Sequence, residues 1–586
     1  MDTFKELQKA CNKSVEGEER RLAILGNCAT QFFSAAVQGY GRLSGMNLQV
    51  FDAGYHQILV QVFDPLSETY AFRPDYILLW FATEVLYEEF LSLGREKRLT
   101  FAEDYLDKIE TCWSQVEKNT KARILQPNFV EISDMGLGQY SGKVAETFIF
   151  QLRKLNYLLQ ESMAKHGNVY PLDFQRIQNE RGRETYYSAV WYYHARMTVS
   201  MDALPDVGKA VVDVLSAIEG KIKKCVVLDL DNTLWGGVIG DDGLGGIQIG
   251  ELKKGRVYTH FQRWLKQLKE FGILLAVCSK NEEEIAKEPF EKHGEMVLRL
   301  SDISLFVANW QDKATNIRRI QEILNIGMES LVFLDDNPFE RNLVREKIPE
   351  ITVPELPEDP ALWLDYLQRG NYFETASFTG EGADRTRQYQ TEFQRRKGEW
   401  EFDSIEDYLK SLGMTGKIKP FEPSRYARIA QLTQRSNQFN LRTIRYTEEE
   451  IRRIAKDPDY LAFYGTLADQ FGDYGLVSVI ILKRISREAL FIDTWLMSCR
   501  VLKRGMEEYV LNQLVRIAKS HGFKKISAEY IPTAKNRMVQ DLYRDMGFTK
   551  TSDNHYEVLV DGYQEKPTWI KEEPEDGEKR GMGKSQ

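Results

Sequence analysis

The chain has 586 residues, of which 42% are hydrophobic and 28% charged, and its formal net charge is −9. At roughly 150 residues per domain, this length predicts three or four domains. The negative charge argues against nucleic-acid binding, and no apolar stretch reaches the roughly 18 residues of a membrane span. The amino-terminal residues lack a signal region, and the six cysteines show no paired metal spacing. We therefore expect a cytoplasmic protein that binds neither nucleic acid nor membrane.

The first segment, 1–205, alternates predicted strands with predicted helices, which indicates a parallel α/β sheet. Its strands are RLAILGN, LQVFDAG and DYILLWF. The stretch Gly26-Asn27-Cys28 and the later Asp173 resemble the Gly-Asp-Ser and Asp-x-x-His motifs of the SGNH-hydrolase fold. Because Arg176 stands where the family has its histidine base, we expect this SGNH-like domain to be noncatalytic.

The stretch 222–237, IKKCVVLDLDNTLWGG, predicts a buried strand that ends at Asp229 and Asp231. Two carboxylates two residues apart point the same way, and the carboxyl end of a strand is the usual ligand position in an open α/β sheet. Close like charges oppose joint ionisation unless a cation is present, and Mg²⁺ suits such oxygen ligands. One carboxylate can then attack phosphorus while the other moves protons.

Three further strand ends carry polar residues. LLAVCSKNEE ends at Ser279, whose hydroxyl can contact a phosphoryl oxygen, and Asn281 can cap the following helix. NWQDKATNIRRI places Lys313 at the start of a helix, where an ammonium can neutralise a phosphoryl group and a carboxylate. SLVFLDDNPFERN ends in Asp335-Asp336. Each residue alone has an ordinary structural explanation, as a cap, a solvated lysine or a turn, but the ordered set predicts one site.

The order Asp-x-Asp-x-Thr, Ser, Lys, Asp-Asp resembles that of the haloacid dehalogenase-like (HAD) superfamily. The resemblance implies a Rossmannoid domain over 218–370, with Asp229 as nucleophile and Asp231 as general acid/base. It implies a phosphate site and a Mg²⁺ site; the phosphate ligands are Thr233, Ser279, Asn281 and Lys313, and the metal ligands are Asp229, the Asp231 backbone carbonyl, and Asp335 or Asp336. The short spacings after Thr233 and Ser279 leave no room for a cap domain, which suits a large or tethered substrate.

The details DLDNTLWGGVIGDDG, CSKNEE and FLDDNPFERNLVRE resemble the FkbH-like branch of this superfamily, and LTQRSNQFNLRT and DQFGDYGLVSV continue the resemblance. Members are linked to polyketide and surface-polysaccharide pathways. Some take the three-carbon unit of 1,3-bisphosphoglycerate, remove phosphate, and load glyceryl onto the thiol of an acyl carrier protein. The resemblance thus implies a carrier as partner and a small-molecule phosphate as substrate. A thioester relay through Cys225 or Cys278 is conceivable, but we expect both to be core residues.

The segment 401–562 combines the strands GLVSVIIL and ALFIDTWLM with the helix GMEEYVLNQLVRIAKSHG, and it resembles the α+β fold of GNAT acyltransferases. Where that family has Arg/Gln-x-x-Gly-x-Gly, Lys503 replaces the first glycine. The resemblance implies acyl-CoA or phosphopantetheine held by Arg500, Lys503, Arg504, Gly505, Asn536 and Tyr543. Residues 371–400 are predicted to be a connector and 563–586 a disordered tail.

Three functions fit these patterns. The leading one is a Mg²⁺-dependent HAD-type phosphatase with coupled glyceryl transfer to an acyl carrier protein in polyketide-type biosynthesis. The second pairs the phosphatase with a GNAT acyltransferase acting on a sugar phosphate in surface-polysaccharide assembly. The third is a noncatalytic protein that docks carriers.

Overall fold

A computed structural model describes residues 3–134, 136–252, 254–378, 386–387, 390–391, 404–533 and 535–573. The chain divides into two compact units, 1–217 and 218–586. Most of the predicted connector 371–400 and the last thirteen residues of the predicted tail lie outside the described residues. No described helix combines the length and the apolar character that crossing a bilayer requires.

The first unit is built on a parallel sheet with strand order β2-β1-β3-β4-β5. Its strands are β1 (Arg20–Gly26), β2 (Leu48–Tyr55), β3 (Tyr76–Trp80), β4 (Arg123–Pro127) and β5 (Val169–Leu172). Its helices are α1 (Phe4–Ala10), α2 (Gln31–Leu43), α3 (Ile58–Phe63), α4 (Glu68–Ala71), α5 (Thr83–Leu91), α6 (Arg95–Leu99), α7 (Phe101–Asn119), α8 (Phe148–Met163), α9 (Phe174–Arg181), α10 (Arg183–Tyr186), α11 (Ala189–Ala195) and α12 (Leu204–Ile218). The central strands β1, β3 and β4 are almost wholly buried, as the apolar runs predict.

The second unit begins with a second parallel sheet, in the order β8-β7-β6-β9. Its strands are β6 (Cys225–Leu228), β7 (Leu274–Ser279), β8 (Leu305–Ala308) and β9 (Leu331–Leu334). The helices are α13 (Ile239–Gly246), α14 (Gly255–Glu270), α15 (Glu283–Lys292), α16 (Lys313–Leu324), α17 (Pro338–Lys347) and α18 (Trp363–Gly370). Both faces of the sheet are covered by apolar clusters, so its strands read as continuous hydrophobic runs.

The rest of the second unit contains a mixed sheet in the order β15-β16-β14-β13-β12-β11-β10-β17. Neighbours pair antiparallel except β13 with β14 and β10 with β17. The strands are β10 (Thr415–Pro420), β11 (Tyr460–Asp469), β12 (Gly472–Arg484), β13 (Ala489–Met497), β14 (Lys525–Glu529), β15 (Thr549–Ser552), β16 (His555–Leu559) and β17 (Lys571–Glu572). The helices are α19 (Ile405–Ser411), α20 (Tyr426–Arg435), α21 (Glu448–Lys456), α22 (Met506–Ser520) and α23 (Leu542–Asp545).

The chain after residue 562 corrects part of the predicted disorder. Residues 571–572 add strand β17 to the edge of the mixed sheet beside β10. Before this strand, Lys566 is held by Asn512. The Asn512 side chain donates to the Lys566 carbonyl at 2.8 Å and accepts from the Lys566 N–H at 2.9 Å. The buried Ile570 joins the apolar core of this sheet. A polar composition suggested disorder here, but these few anchors order the segment as far as residue 573.

Candidate active site

The carboxyl ends of the second parallel sheet gather the predicted phosphoryl-transfer residues. Asp229 directly follows β6, Ser279 ends β7, and Asp335 directly follows β9. Lys313 opens α16 just after β8, and the Asp312 side chain caps that helix by accepting the Thr315 N–H at 3.2 Å. Because the strands are parallel, their carboxyl ends meet at one edge, which is where an open α/β sheet binds its ligands.

A cluster of three carboxylates lies at this edge. Asp229, Asp335 and Asp336 each offer an oxygen within 4.8 Å of the others, and these form the one such group found among the described residues. Asp229 is 7% exposed and Asp335 is fully buried. The side chain of Asp231 is outside this group, and the metal contact through its backbone carbonyl stays a prediction.

Lys313 balances only part of this negative charge. Its ammonium, on a side chain 3% exposed, lies 2.9 Å from Asp229 Oδ1 and 2.5 Å from Asp335 Oδ2. Burial opposes the charged form, but the two carboxylates outweigh it and raise the pKa of Lys313. One ammonium facing three carboxylates leaves an excess of negative charge that a divalent cation would neutralise.

This excess of negative charge also affects the pKa values of the carboxyl groups. Burial, followed by the negative charge of Asp229, raises the pKa of both Asp335 and Asp336. A hard cation bound to their oxygens would reverse that effect by favouring the charged forms. The all-oxygen donor set and the incomplete charge balance therefore fit Mg²⁺.

Asp231 is held by three donors on neighbouring elements. Its Oδ1 accepts from Trp235 Nε1 at 3.0 Å and from the Ile239 N–H at 2.9 Å, and its Oδ2 accepts from Asn281 Nδ2 at 3.2 Å. Burial raises the pKa of the Asp231 carboxyl, which would suit the general acid/base role predicted for it. Sequence reasoning missed all three contacts, since no spacing signals them.

Two of the residues predicted at the phosphate site, Thr233 and Asn281, contact carboxylates. Thr233 Oγ1 donates to Asp336 Oδ1 at 3.2 Å and accepts the Asp336 N–H at the same distance. Asn281 is the donor to Asp231, and its Oδ1 accepts the Glu282 N–H at 2.9 Å. Ser279 is 2% exposed at the end of β7. Thr233 and Asn281 thus orient the acidic groups.

Arg341 is a further residue that the sequence reasoning did not single out. It is 4% exposed, and its Nη1 donates to the carbonyls of Asp335 and Asp336 at 2.9 and 2.6 Å. Its Nη2 pairs with Glu355. Arg341 thereby fixes the turn that carries two of the three clustered carboxylates.

The site is open to solvent. Between Thr233 and α14, the described residues form the short helix α13 and one antiparallel bridge, Gly236 to Gln248, rather than a cap domain. Two large apolar side chains stand exposed after the ends of β8 and β9: Trp310, on the loop before α16, at 73%, and Phe339, in the first turn of α17, at 68%. A cavity of about 540 Å³ adjoins Asp336.

The two cysteines near the site are core residues. Cys225 and Cys278 are fully buried, and burial raises the pKa of both thiols far above their ordinary range. The Cys278 thiol donates to the Lys313 carbonyl at 3.7 Å. Neither thiol has the exposure that a reactive thiolate needs.

The loop before α22, which is predicted to bind CoA or phosphopantetheine, makes several contacts within the chain. Lys503 adopts φ +62°, in the region that favours glycine, and its N–H donates to Glu507 Oε1 at 3.3 Å. Arg504 is buried with its guanidinium 5.5 Å from the centre of the Tyr474 ring. The Gly505 carbonyl accepts from Thr568 Oγ1 at 2.9 Å. Arg500 is half-buried, and its Nε donates to Ser498 Oγ at 3.4 Å.

Two of the predicted CoA or pantetheine contacts are corrected by the structure. Asn536 is 0% exposed, and its side-chain amide donates to the carbonyls of Asn440 and Ile531, both at 2.9 Å. Tyr543 is 1% exposed and belongs to the apolar core of the mixed sheet. Their polar groups face the interior, so neither side chain is presented to a ligand.

In the first unit, the two residues of the predicted SGNH-like motifs, Cys28 and Asp173, make structural contacts. The Cys28 thiol is fully buried and accepts from Thr198 Oγ1 at 3.8 Å, and burial raises its pKa to about 12. Asp173 accepts from the Arg176 N–H at 3.0 Å as the cap of α9. Both residues therefore have structural surroundings rather than those of a nucleophile and its base.

Comparison with known proteins identifies two strong similarities. The family described as FkbH, N-terminal domain, matches residues 21–216. A crystal structure of the N-terminal part of the protein BF1531 from Bacteroides fragilis, containing a phosphatase domain and complexed with Mg, is 45% identical, covers 64% of this chain and 100% of that chain, and has a TM-score of 0.62.

One weaker likeness involves a quarter of the chain. The ribosomal-protein-S18-alanine N-acetyltransferase from Escherichia coli is 14% identical, covers 25% of this chain and 94% of that chain, and has a TM-score of 0.20. Comparison with curated proteins found no match.

Proposed function

The chain belongs to the FkbH family, and from that premise we propose that it is a Mg²⁺-dependent phosphatase of HAD type with coupled glyceryl transfer. Its substrate would be a three-carbon acyl phosphate like 1,3-bisphosphoglycerate, and its acceptor the thiol of an acyl carrier protein. The observation that carries the proposal is the meeting of Asp229, Asp335, Asp336 and the buried Lys313 at one sheet edge.

The metal requirement rests on charge. Asp229, Asp335 and Asp336 would hold Mg²⁺, which would neutralise charge on the phosphoryl oxygens and so ease the approach of a carboxylate nucleophile to the phosphorus. The 45%-identical relative contains a phosphatase domain and is complexed with Mg, which supports the assignment.

The phosphatase step would be carried out by the two carboxylates of the first strand end. Asp229 attacks the phosphorus of the phosphomonoester, and the bond between phosphorus and the ester oxygen breaks. That oxygen stays on the substrate carbon, and Asp231 donates a proton to it. Asp231 then accepts a proton from water, which cleaves the aspartyl-phosphate and releases phosphate. Lys313 and Ser279 stabilise the transferring group.

Glyceryl transfer would follow at the other end of the substrate. The carrier thiolate attacks the acyl carbon; a C–S bond forms, the C–O bond to phosphate breaks, and phosphate leaves. The open site supports a tethered acceptor, and the exposed Trp310 and Phe339 offer apolar contacts at its edge.

The acyl-CoA alternative has less support. Asn536 and Tyr543 are buried, and the Glu507 carboxylate at the start of α22 would oppose a CoA pyrophosphate there. The noncatalytic alternative predicts no turnover at all.

The test combines the full chain with Mg²⁺, 1,3-bisphosphoglycerate generated in situ and a panel of holo carrier proteins, followed by intact mass spectrometry of the carriers. We expect a glyceryl adduct with wild type and a phosphoglyceryl adduct or none with Asp229→Asn. A carrier that remains unmodified with wild type, while other phosphoesters are hydrolysed, would contradict the carrier step and leave the phosphatase step standing.

A further inference from the structure

A second cavity, of about 340 Å³, lies at the opposite edge of the β6–β9 sheet from the carboxylates. It is lined by Lys224, Leu274 and Ser330, which directly precede or begin β6, β7 and β9. A strand of four residues separates the two edges by about 13 Å, at roughly 3.3 Å per residue. A molecule bound here would therefore be distinct from one bound at the carboxylates.

The facing wall comes from α20 and the segment 436–439, part of the LTQRSNQFNLRT stretch. That segment is fixed by backbone hydrogen bonds on both sides: the Met497 N–H donates to the Phe439 carbonyl at 3.1 Å, and the Ile531 N–H to the Leu441 carbonyl at 2.9 Å. The Asn437 amide donates to the Gly220 carbonyl at 3.3 Å. The wall is consequently preformed rather than dependent on a ligand.

Positive charge dominates the lining. Among the described lining residues the one carboxylate is Glu329, which pairs with Lys535 at 2.8 Å. The cationic lining residues are Lys224, Arg428, Arg435, Arg500 and Lys535. Five positive charges less one negative give +4, in a chain whose formal charge is −9. Such a concave basic surface attracts anions and binds phosphate well through arginine.

An apolar cavity of about 310 Å³ adjoins the basic one, and Lys224 and Arg435 line both. Its other lining residues include Leu268, Phe271 and Ile273. Together the two cavities match a molecule with an anionic group at one end and an apolar portion at the other. Sites for small organic ligands usually combine such surfaces in a similar volume.

We propose that this pair of cavities binds a phosphate-bearing organic molecule, with its phosphate among Arg435, Arg500 and Lys224. Two sources supply that chemistry: the phosphopantetheine arm of a carrier or of CoA, and a free phosphorylated metabolite. The inference goes beyond the phosphatase proposal and does not depend on it, because the site lies at the other edge of the sheet.

The test is isothermal titration calorimetry of the full chain in EDTA with 4′-phosphopantetheine, 3-phosphoglycerate and inorganic phosphate. We expect at least one organic phosphate to bind, and the identity of the tighter one to reveal the source. The double variant Arg435→Gln/Arg500→Gln should weaken binding at least tenfold. Arg428→Gln, on the half-buried face of α20, provides a milder second variant that should weaken it several-fold.

Two controls separate the outcomes. Arg452→Gln removes the same charge from the exposed face of α21 and should bind like wild type, as should Asp229→Asn. Circular dichroism confirms that each variant is folded. If no organic phosphate binds wild type, or if folded Arg428→Gln and the double variant bind as tightly as Arg452→Gln, the proposal is wrong. Binding that is lost with Asp229→Asn would instead place the ligand at the carboxylates and also overturn it.

Discussion

Replacing Lys313 with methionine should strongly destabilise the sheet edge that carries the carboxylates when no metal is present, and less so when Mg²⁺ is bound. The ammonium is 3% exposed and contacts Asp229 and Asp335 at 2.9 and 2.5 Å, so it belongs to the buried class of ion pairs. Removing one partner of such a pair costs about 3–5 kcal/mol, because the remaining charges are left buried and uncompensated. We expect a loss of this size in EDTA and a clearly smaller one with saturating Mg²⁺, which supplies the missing positive charge.

The assay is hydrogen exchange followed by mass spectrometry, read on peptides that contain the ends of β6 and β9. The Asp229 N–H donates to the Leu334 carbonyl at 3.0 Å, so its exchange reports opening between these strands. Lys287→Met is the matched control: Lys287 pairs with Glu283 on α15, but the two side chains are 32% and 52% exposed, and the loss of this pair should cost no more than about 1 kcal/mol. Equal losses for the two variants, or a Lys313→Met loss that Mg²⁺ leaves unchanged, would refute the charge argument.

Three other variants test neighbouring parts of the account. Asn281→Ala removes a donor to Asp231 and should lower phosphate release about tenfold while Mg²⁺ affinity, measured by calorimetry, stays the same; a matching fall in affinity would contradict its orienting role. Arg341→Met should destabilise the β9 turn by about 2–3 kcal/mol in the same exchange assay, because one buried and one half-buried carbonyl lose their charged donor, and unaltered protection there would count against this. Asn512→Ala breaks both bonds to Lys566 and should expose residues 563–573 to limited proteolysis, whereas an equally resistant carboxyl end would show that other contacts order it.

The strand-end residues were predictable because one simple rule places them. Short apolar runs such as CVVL and LVFL become buried parallel strands, and parallel strands present their carboxyl ends at a common edge. Asp229, Lys313 and Asp335 therefore meet at this edge independently of the conformation of the loops. The same rule gave the parallel sheet of the first unit.

Contacts that depend on loop geometry were not predictable. Trp235 and Ile239 reach Asp231 through a turn in which Asn232 adopts φ +56°, and Asn281 reaches it from just after β7. Nothing in the spacing of these residues reveals these contacts. The corrected residues Asn536 and Tyr543 fail for a related reason. Their burial follows from packing between distant segments of the mixed sheet, which pattern and composition do not encode.

The central claim is that Asp229 performs metal-dependent phosphoryl chemistry. The most direct measurement is phosphate release from a phosphomonoester by wild type and by Asp229→Asn, each with Mg²⁺ and with EDTA. We expect wild type to release phosphate with Mg²⁺ and not with EDTA. In the variant, the rate of release with Mg²⁺ should fall at least about 1,000-fold, on the order of what removal of a nucleophile costs. Mg²⁺-dependent release by a folded Asp229→Asn protein at the wild-type rate would contradict it.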